Sequence, residues 1–314
     1  MKDLNKNLLK QLNPSPLQMI THPLLAKHKI TLAVKRDDLL DPDISGNKWR
    51  KLKYNLLYAQ KNNIHKLLSF GGAFSNHIHA LAAASHRFNF DATGIIRGEA
   101  HYIKNPTLSK VQQWGMKLQF VDRKTYRLKE QTDYLQTLKV KFPNTYIIPE
   151  GGTNQLAIPG VEEVVEELIT QSQPIDYLFT ATGSAGTLAG LISGAIKYGA
   201  VMQIHGIAVL KNAHYLKQVV NDLVPQAETA NWQLHETFHE GGYAKVSPEL
   251  DRFCHQFSEQ TNIPIEPIYT GKMFYAVWQL IQKGFFPAGS HIVLLHTGGL
   301  QGLAGLNERN EFIN

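Results

Sequence analysis

Lys48 follows a Ser-Gly-Asn turn at the point where a helical pattern begins. The stretch 35–52 runs from the end of a predicted strand through an acidic, proline-containing turn to this lysine. Such a turn can aim a side chain into a cleft, and the positive end of a helix dipole disfavours a second positive charge. The lowered amine pKa that results is what Schiff-base chemistry needs. Taken alone, one lysine among many is more simply a solvated surface group.

A glycine-rich segment joins a predicted buried strand, residues 177–181, to a predicted helix. Its members are Thr182, Gly183, Ser184, Ala185, Gly186 and Thr187. Glycines let the backbone approach an anion, and N–H groups at a helix start hold a phosphate. The segment matches neither a Walker A loop nor the dinucleotide pattern, so it suits a static phosphate anchor better than phosphoryl transfer. The alternative is a turn whose glycines only let the helix pack on the strand.

Ser75, Asn76 and His77 follow a Gly-Gly pair at the end of another predicted strand and open a helix. Ser75 fits a helix N-cap and also an acid–base group beside an amine. Asn76 offers both a donor and an acceptor to a ligand oxygen. His77 and His79 stand two residues apart in a predicted helix, so they do not share a face and do not indicate a metal site.

Two tyrosines and two threonines lie in segments predicted to be loops. Tyr243 follows a Gly-Gly pair, and Tyr269 and Thr270 begin a Tyr-Thr-Gly-Lys segment after a proline-rich stretch, residues 263–268, that we read as the approach of a strand. Thr297 follows the last predicted strand. Tyrosines at loop tips can stack on a substrate or donate to its carboxylate, and the simpler alternative is packing at a rim.

These features together describe one cofactor. A lysine for a Schiff base, a phosphate cradle, an amide for a ring oxygen and a hydroxyl for a ring nitrogen fit pyridoxal 5′-phosphate.

The elements that must position these residues alternate between strand and helix. Residues 50–150 predict a small parallel α/β unit with right-handed crossovers, and the sequence beyond a Pro-Glu-Gly-Gly-Thr-Asn turn at 149–154 is again α/β. That turn is the best candidate for a domain boundary. Ligands of such sheets bind at the carboxyl ends of the strands. Residues 1–30 predict a short helix or an extended arm, followed by turns.

The composition is that of an ordinary soluble globular protein. The 314 residues are 43% hydrophobic and 18% charged, with a net charge of +6 that is scattered, so a solvated surface is favoured over nucleic-acid binding. A single cysteine, Cys254, excludes an internal disulfide and fits a reducing cytoplasm. The charged N-terminus predicts no signal peptide, and no apolar window predicts a membrane span.

The ordered motifs resemble the 1-aminocyclopropane-1-carboxylate deaminase and D-cysteine desulfhydrase family. The resemblance rests on Ser-Gly-Asn-Lys-x-Arg-Lys-Leu, Gly-Gly-x-x-Ser-Asn-His, Thr-Gly-Ser-Ala-Gly-Thr, Tyr-Thr-Gly-Lys and His-Thr-Gly-Gly, in that order, and covers residues 20–305. It implies the tryptophan-synthase-β-like fold, with two open, mostly parallel, three-layer α/β domains. A small domain, 50–150, would be inserted in a large cofactor-binding domain, 1–49 and 151–314. The resemblance also implies a cytoplasmic homodimer with a small amino acid as substrate and no nucleic-acid or membrane partner.

The resemblance implies roles for individual residues. Lys48 would carry the cofactor as a Schiff base, Lys51 would help to bind its phosphate region, and Asn76 would bond its ring oxygen. Ser75 would bind the substrate carboxylate or move protons. Further cofactor contacts would be Thr182, Gly183, Ser184, Ala185, Gly186, Thr187, Thr270 and Thr297. Substrate contacts would be Ser75, Asn76, His77, Tyr243 and Tyr269, with both tyrosines also catalytic.

Two positions set this chain apart from the ring-opening deaminases that it resembles. Those enzymes place Glu directly after the tyrosine that Tyr269 matches, where this chain has Thr270, and they carry Ser-Asn-Gln where it has Ser-Asn-His. A carboxylate would keep the pyridine nitrogen protonated, whereas a hydroxyl can donate to an unprotonated nitrogen. The weaker electron sink suffices to eliminate a good leaving group, so the leading prediction is β-elimination from a D-amino acid.

Three alternatives stay open. The first is ring opening of 1-aminocyclopropane-1-carboxylate. The second is a pyridoxal-phosphate-binding or amino-acid-binding protein without catalysis. The third is a nucleotide-binding α/β protein, which leaves Lys48 unexplained.

Overall fold

The computed structural model describes residues 14–44 and 46–301, which form two compact units. One, the four-stranded unit, comprises Asp41–Ala157 together with Gln301. The other, the six-stranded unit, comprises residues 14–40 and Ile158–Leu300. The arm predicted at the N-terminus lies outside the described residues as far as residue 13.

Strands and helices follow one another along most of the described chain. The strands are β1 (Leu17–Ile20), β2 (Thr31–Lys35), β3 (Lys66–Gly72), β4 (Asp91–Arg97), β5 (Lys117–Val121), β6 (Thr145–Ile147), β7 (Tyr177–Thr182), β8 (Gln203–Ala208), β9 (Trp232–His235) and β10 (His291–Leu295). The helices are α1 (Pro23–His28), α2 (Asn47–Lys61), α3 (Asn76–Phe88), α4 (Pro106–Gln113), α5 (Arg123–Tyr126), α6 (Thr132–Lys141), α7 (Ile158–Gln171), α8 (Gly186–Tyr198), α9 (Leu216–Leu223), α10 (Pro248–Thr261) and α11 (Thr270–Gln282).

Each unit is built on its own sheet. The four-stranded sheet has the order β5-β4-β3-β6 and is parallel throughout. The six-stranded sheet has the order β1-β2-β10-β7-β8-β9, and only its edge strand β1 is antiparallel. The predicted α/β class with mostly parallel sheets is confirmed.

The inner parallel strands β3, β7, β8 and β10 are largely buried on both faces, as their continuous apolar runs predict. In the six-stranded unit, one core cluster lies around Val161, Leu188 and Val293, and another around Phe179, Phe274 and Leu294. Alternate residues of β10 thus serve opposite faces of the sheet. Helices cover both faces, so the polar loops at the carboxyl ends of the strands remain as the place for chemistry.

Several local predictions were wrong. The proline-rich approach to Tyr269, residues 263–268, is irregular and not a strand. The Thr-His-Pro-Leu segment read as a turn begins α1, because the imidazole of His22 caps it by accepting the Leu24 N–H. The strands β1 and β9 were not predicted, because they are edge strands of four residues each and carry little periodic signal. No helix among the described residues is long and apolar enough to cross a membrane.

Candidate active site

The turn before Lys48 is held at both ends, by the backbone conformation of Gly46 next to the helix and by the Asp41 carboxylate upstream. Gly46 directly precedes α2 with φ +64° and ψ −146°, a conformation open essentially only to glycine. On the upstream side, one carboxylate oxygen of Asp41 accepts the backbone N–H groups of residues 43–44 at 2.9 and 2.8 Å. The Asp41 carboxylate also forms an ion pair with Arg87 of α3. The acidic segment of the motif is therefore an anchored turn that delivers Lys48 at the start of α2.

Lys48 and Lys51 lie one helical turn apart with depressed pKa values. Lys48 is half-buried, its Nζ lies 3.3 Å from Asn47 Oδ1, and desolvation lowers its pKa to about 8. Lys51 is buried and donates to Thr153 Oγ1 at 2.9 Å. Desolvation, followed by the charge of Lys48, holds the pKa of Lys51 well below its ordinary value. A nucleophilic amine beside a second buried amine favours an anionic ligand with an electrophilic carbon.

Ser75 and Asn76 begin α3. The Ser75 hydroxyl accepts the Ile78 N–H at 3.3 Å, which confirms the N-cap interpretation. Asn76 Oδ1 accepts a hydrogen bond from Gln301 Nε2 at 2.8 Å. With its oxygen engaged, the Asn76 amide presents N–H groups as donors to a ligand oxygen.

The buried imidazole of His77 is tied to the middle of β3. Its Nε2 lies 2.7 Å from Ser69 Oγ, and the same hydroxyl donates to the Ile148 carbonyl at 2.7 Å. Because that hydroxyl has one proton, His77 must donate from Nε2 and carry a lone pair on Nδ1. Nδ1 is buried and has no hydrogen-bond partner in the described part of the chain. Desolvation, then the charges of Lys48 and Lys51, hold the pKa of His77 well below 6.5.

In the six-stranded unit, the glycine-rich loop connects β7 to α8. Ala185 precedes the helix with φ +61°, a left-handed conformation that is costly for alanine. Among the described residues, no side chain caps the start of α8. This loop therefore offers a helix N-terminus whose geometry suits a bound anion.

Tyr269 packs directly on this loop. A Cβ atom on Gly183 would lie 2.9 Å from Cε2 of the Tyr269 ring, so only glycine leaves room for the tyrosine. The Tyr269 hydroxyl donates to the Ala181 carbonyl at 3.2 Å. Burial raises the pKa of Tyr269, and the nearby groups of Tyr243 and Glu266 add to the rise. The structure thus packs Tyr269 on the loop and brings Tyr243 near enough to affect the pKa of Tyr269.

The Thr270 hydroxyl is buried next to the segment that follows β10. Its Oγ1 donates to the Gly298 carbonyl at 3.1 Å and lies 3.4 Å from Thr297 Oγ1. The Gly298 N–H in turn donates to Nδ1 of His296 at 3.1 Å. The two predicted threonines therefore lie together, next to a Gly298 backbone that is held by His296.

Glu266 explains why the segment before Thr270 is a turn. Its buried carboxylate accepts the backbone N–H of Ile268 at 2.7 Å, of Tyr269 at 2.9 Å and of Thr270 at 2.6 Å. Desolvation raises the pKa of Glu266 to about 7, although these N–H donors act in the opposite direction. The carboxylate holds Tyr269 and Thr270 at the start of α11 and is fully engaged with the backbone.

Four residues that support the predicted ones were not predicted: Thr153, Glu266, Lys272 and Gln301. Three of them stood in segments already singled out, since Thr153 belongs to the glycine turn at 149–154, Glu266 lies in the proline-rich stretch 263–268 and Lys272 ends the Tyr-Thr-Gly-Lys motif. That position was the only available signal for these three residues.

Each unit, taken by itself, carries donors of the kinds that pyridoxal 5′-phosphate binds. The four-stranded unit has an amine with a depressed pKa at Lys48 and an amide donor at Asn76. The six-stranded unit has the uncapped start of α8, which suits a phosphate, and the buried hydroxyl of Thr270.

Comparison with known proteins agrees with this donor set. The chain is 30% identical over 285 residues to a putative 1-aminocyclopropane-1-carboxylate deaminase of Pyrococcus abyssi, covering 87% of this chain and 86% of that protein. It is 28% identical to a D-cysteine desulfhydrase of Klebsiella pneumoniae, covering 92% and 93%. The crystal structure of an ACC deaminase homologue superposes with a TM-score of 0.85 at 27% identity, covering 96% and 97%. The family model described as "Pyridoxal-phosphate dependent enzyme" matches residues 9–298. The predicted cofactor and enzyme class are therefore confirmed, and the chain belongs to the family of pyridoxal-phosphate dependent enzymes.

Proposed function

We propose that the enzyme eliminates the β-thiolate of D-cysteine to give pyruvate, ammonia and hydrogen sulfide. Thr270 carries the proposal, because ring-opening deaminases place a carboxylate at the matching position and this chain has a hydroxyl there. The Glu266 carboxylate, which accepts the Thr270 N–H, is committed to three backbone amides and is not available to a ring nitrogen. A hydroxyl keeps the electron sink weaker, which suits a leaving group as good as a thiolate.

Each predicted residue has a part in this proposal. The pyridoxal ring, when bound, withdraws electron density from the substrate Cα. Lys48, with its pKa near 8, would bind the aldehyde and take the Cα proton, and Ser75 is the alternative base. Asn76 would donate to the ring oxygen. The Thr270 hydroxyl would turn its one proton from the Gly298 carbonyl to the ring nitrogen. The start of α8 would hold the phosphate, with Lys51 adding positive charge.

The substrate would be held by the side chains of residues 75–77 and by the two tyrosines. Ser75 and Asn76 would donate to its carboxylate, and His77 Nδ1 offers a neutral acceptor beside them. Tyr243 and Tyr269 would close over the side chain that leaves. A tyrosine hydroxyl with a raised pKa stays protonated, so it can donate a hydrogen bond to departing sulfur.

The proposed reaction balances without a redox partner. The Cα–H bond breaks and its electron pair forms the Cα=Cβ bond. The Cβ–S bond breaks, and its electrons leave with sulfur as hydrogen sulfide after protonation. The enamine that remains takes up one water and gives pyruvate and ammonia.

Ring opening of 1-aminocyclopropane-1-carboxylate is the second candidate, because the Pyrococcus abyssi relative carries that name. A protein that binds the cofactor without catalysis is a third. We further propose that the enzyme works as a homodimer in the cytoplasm on a small amino acid, with neither nucleic acid nor membrane as a partner.

A side-by-side assay separates these candidates. The holoenzyme is incubated with D-cysteine, L-cysteine and 1-aminocyclopropane-1-carboxylate, and sulfide, pyruvate and 2-oxobutanoate are measured. We expect equal sulfide and pyruvate from D-cysteine, with kcat/KM about 100-fold above that for ring opening. Faster release of 2-oxobutanoate would favour the second candidate. Bound cofactor with no product from any of the three would favour the third.

Substitution at Thr270 tests the reason given for the preference. Thr270→Glu restores the carboxylate of the ring-opening enzymes, so elimination should slow and ring opening should become measurable. Thr270→Val keeps the shape and removes only the hydroxyl, and it serves as the matched control. If both variants eliminate sulfide at the wild-type rate, Thr270 does not set the reaction.

A further inference from the structure

The loop that carries Tyr243 has an unusual backbone. Four residues have positive φ within five positions: Glu240 at +51°, Gly241 at +88°, Gly242 at +114° and Ala244 at +56°. Left-handed conformations are unfavourable for residues other than glycine, and they persist only where the surroundings enforce them. Contacts with surrounding groups must therefore maintain the backbone conformation of this loop, residues 239–245.

Hydrogen bonds within the loop account for part of its shape. The Gly242 N–H donates to the His239 carbonyl at 2.9 Å, and the Lys245 N–H donates to the Gly242 carbonyl at 3.1 Å. The Gly241 N–H donates to Nδ1 of the His239 ring at 3.0 Å. These bonds turn the carbonyl oxygens of His239 and Gly242 toward a common point.

The side chain of Lys272 reaches that point from the first turn of α11. The residue is fully buried, and its Nζ donates to the Gly242 carbonyl at 2.6 Å and to the His239 carbonyl at 2.9 Å. It is the same residue that ends the Tyr-Thr-Gly-Lys segment. One helix start thus carries Thr270 and, two residues on, the cation that clamps the Tyr243 loop.

Burial of the Lys272 ammonium costs free energy, because the charged group loses its hydration. Desolvation lowers the pKa of Lys272 to about 8, with the charges of Glu266 and Glu240 acting in the opposite direction. An apolar side chain of similar length would pack in the same place without that desolvation penalty. The ammonium is needed only if the position of the loop carbonyls matters.

We propose that Lys272 is a positioning residue for the substrate: its ammonium holds residues 239–245 so that Tyr243 faces the bound amino acid. The proposal rests on the proposed function only in the role it gives to Tyr243. Tyr243 is 48% exposed, and the backbone contacts of Lys272 fix the loop on which it stands.

Lys272→Met in the holoenzyme tests the proposal. Methionine keeps the apolar stem and removes the donor from both carbonyls. Lys283→Met, the same change at the exposed end of the same helix, is the control. Hydrogen exchange of the amides of residues 241–245 is measured together with KM, kcat and the visible absorbance of the cofactor.

We expect the loop amides of Lys272→Met to exchange at least tenfold faster and KM for D-cysteine to rise about tenfold, with cofactor absorbance and content unchanged. Tyr243→Phe in the Lys272→Met background should cost less than it does in the wild type, since both changes affect one contact. Unchanged exchange of the loop amides would overturn the proposal, and so would full additivity with Tyr243→Phe. Absence of turnover in the wild type would instead overturn the proposed function, and exchange alone would then decide the role of Lys272.

Discussion

The amide of Asn76 is oriented by Gln301, whose Nε2 donates to Asn76 Oδ1 across 2.8 Å and 225 positions of sequence. This bond leaves the Asn76 NH₂ group to donate to a cofactor oxygen. Gln301→Ala should therefore weaken pyridoxal-phosphate binding about fivefold, since one hydrogen bond contributes about 1 kcal/mol. Absorbance titration of the apoenzyme measures the Kd. Gln113→Ala, at an exposed site on α4, should leave the Kd unchanged. An unaltered Kd in Gln301→Ala would contradict the role of this bond.

His77 should stay neutral across the working pH range. Its Nε2 donates to Ser69, and burial together with two neighbouring lysines lowers its pKa well below 6.5. Nitrogen-15 NMR of the imidazole should show the Nε2-protonated form with no titration between about pH 6 and 8. Exposed His65 provides the internal comparison in the same spectra. A His77 midpoint near 6.5 would contradict the assigned hydrogen bond.

Attachment of the cofactor should follow the titration of Lys48. Its pKa is lowered from 10.5 to about 8 by desolvation, so half of the amines are neutral near pH 8. The rate of pyridoxal-phosphate capture by the apoenzyme should rise with pH and level off above about 8. A rate that keeps rising toward pH 10.5 would mean that the amine is not perturbed.

The lowered pKa of Lys48 also makes the free energy of unfolding depend on pH. Between pH 8 and 10.5 the unfolded chain binds more protons at Lys48 than the folded protein does. The contribution of this group to the free energy of unfolding therefore grows as the pH rises through that window, and the slope should disappear in Lys48→Met.

The ion pair between Arg87 and Asp41 should matter more for the site than for overall stability. The pair is partly exposed, with 27% of the Arg87 side chain accessible, so screening limits its value to about 1 kcal/mol. Arg87→Met should lower the free energy of unfolding by that amount and slow cofactor capture several-fold, because the turn before Lys48 loosens. Chemical denaturation and stopped-flow absorbance measure the two effects. Arg127→Met, an exposed arginine of the same unit, should change neither.

The local sequence pattern was enough to predict most of the secondary structure around each motif. The alternation of β3, α3 and β4 follows from apolar runs and punctuating glycines, and Ser75 was recognised as an N-cap from its position before an alanine-rich run. The cofactor was predictable because its four chemical groups need four residue types, and two of these, Asn76 and the glycine-rich segment, come closely after strands.

The residues that support the site could not be predicted in this way. Lys51 pairs with Thr153 from 102 positions away, and Asn76 pairs with Gln301 from 225. Hydrophobic periodicity reflects only residues that are close together in the chain, so contacts at such separations produce no pattern in the sequence. The strand predicted before Tyr269 was wrong for a similar reason. The Glu266 carboxylate accepts three backbone N–H groups and holds this apolar segment in a turn.

Attachment of the cofactor to Lys48 can be observed by reducing the holoenzyme with borohydride, digesting it and locating the modified lysine by mass spectrometry. Lys61→Ala, at the exposed end of the same helix, is the control that should keep the modification, and Lys48→Ala should lose it. We expect one modified peptide, which contains Lys48. A modification on any other lysine, or its persistence in Lys48→Ala, would show that Lys48 does not carry the cofactor.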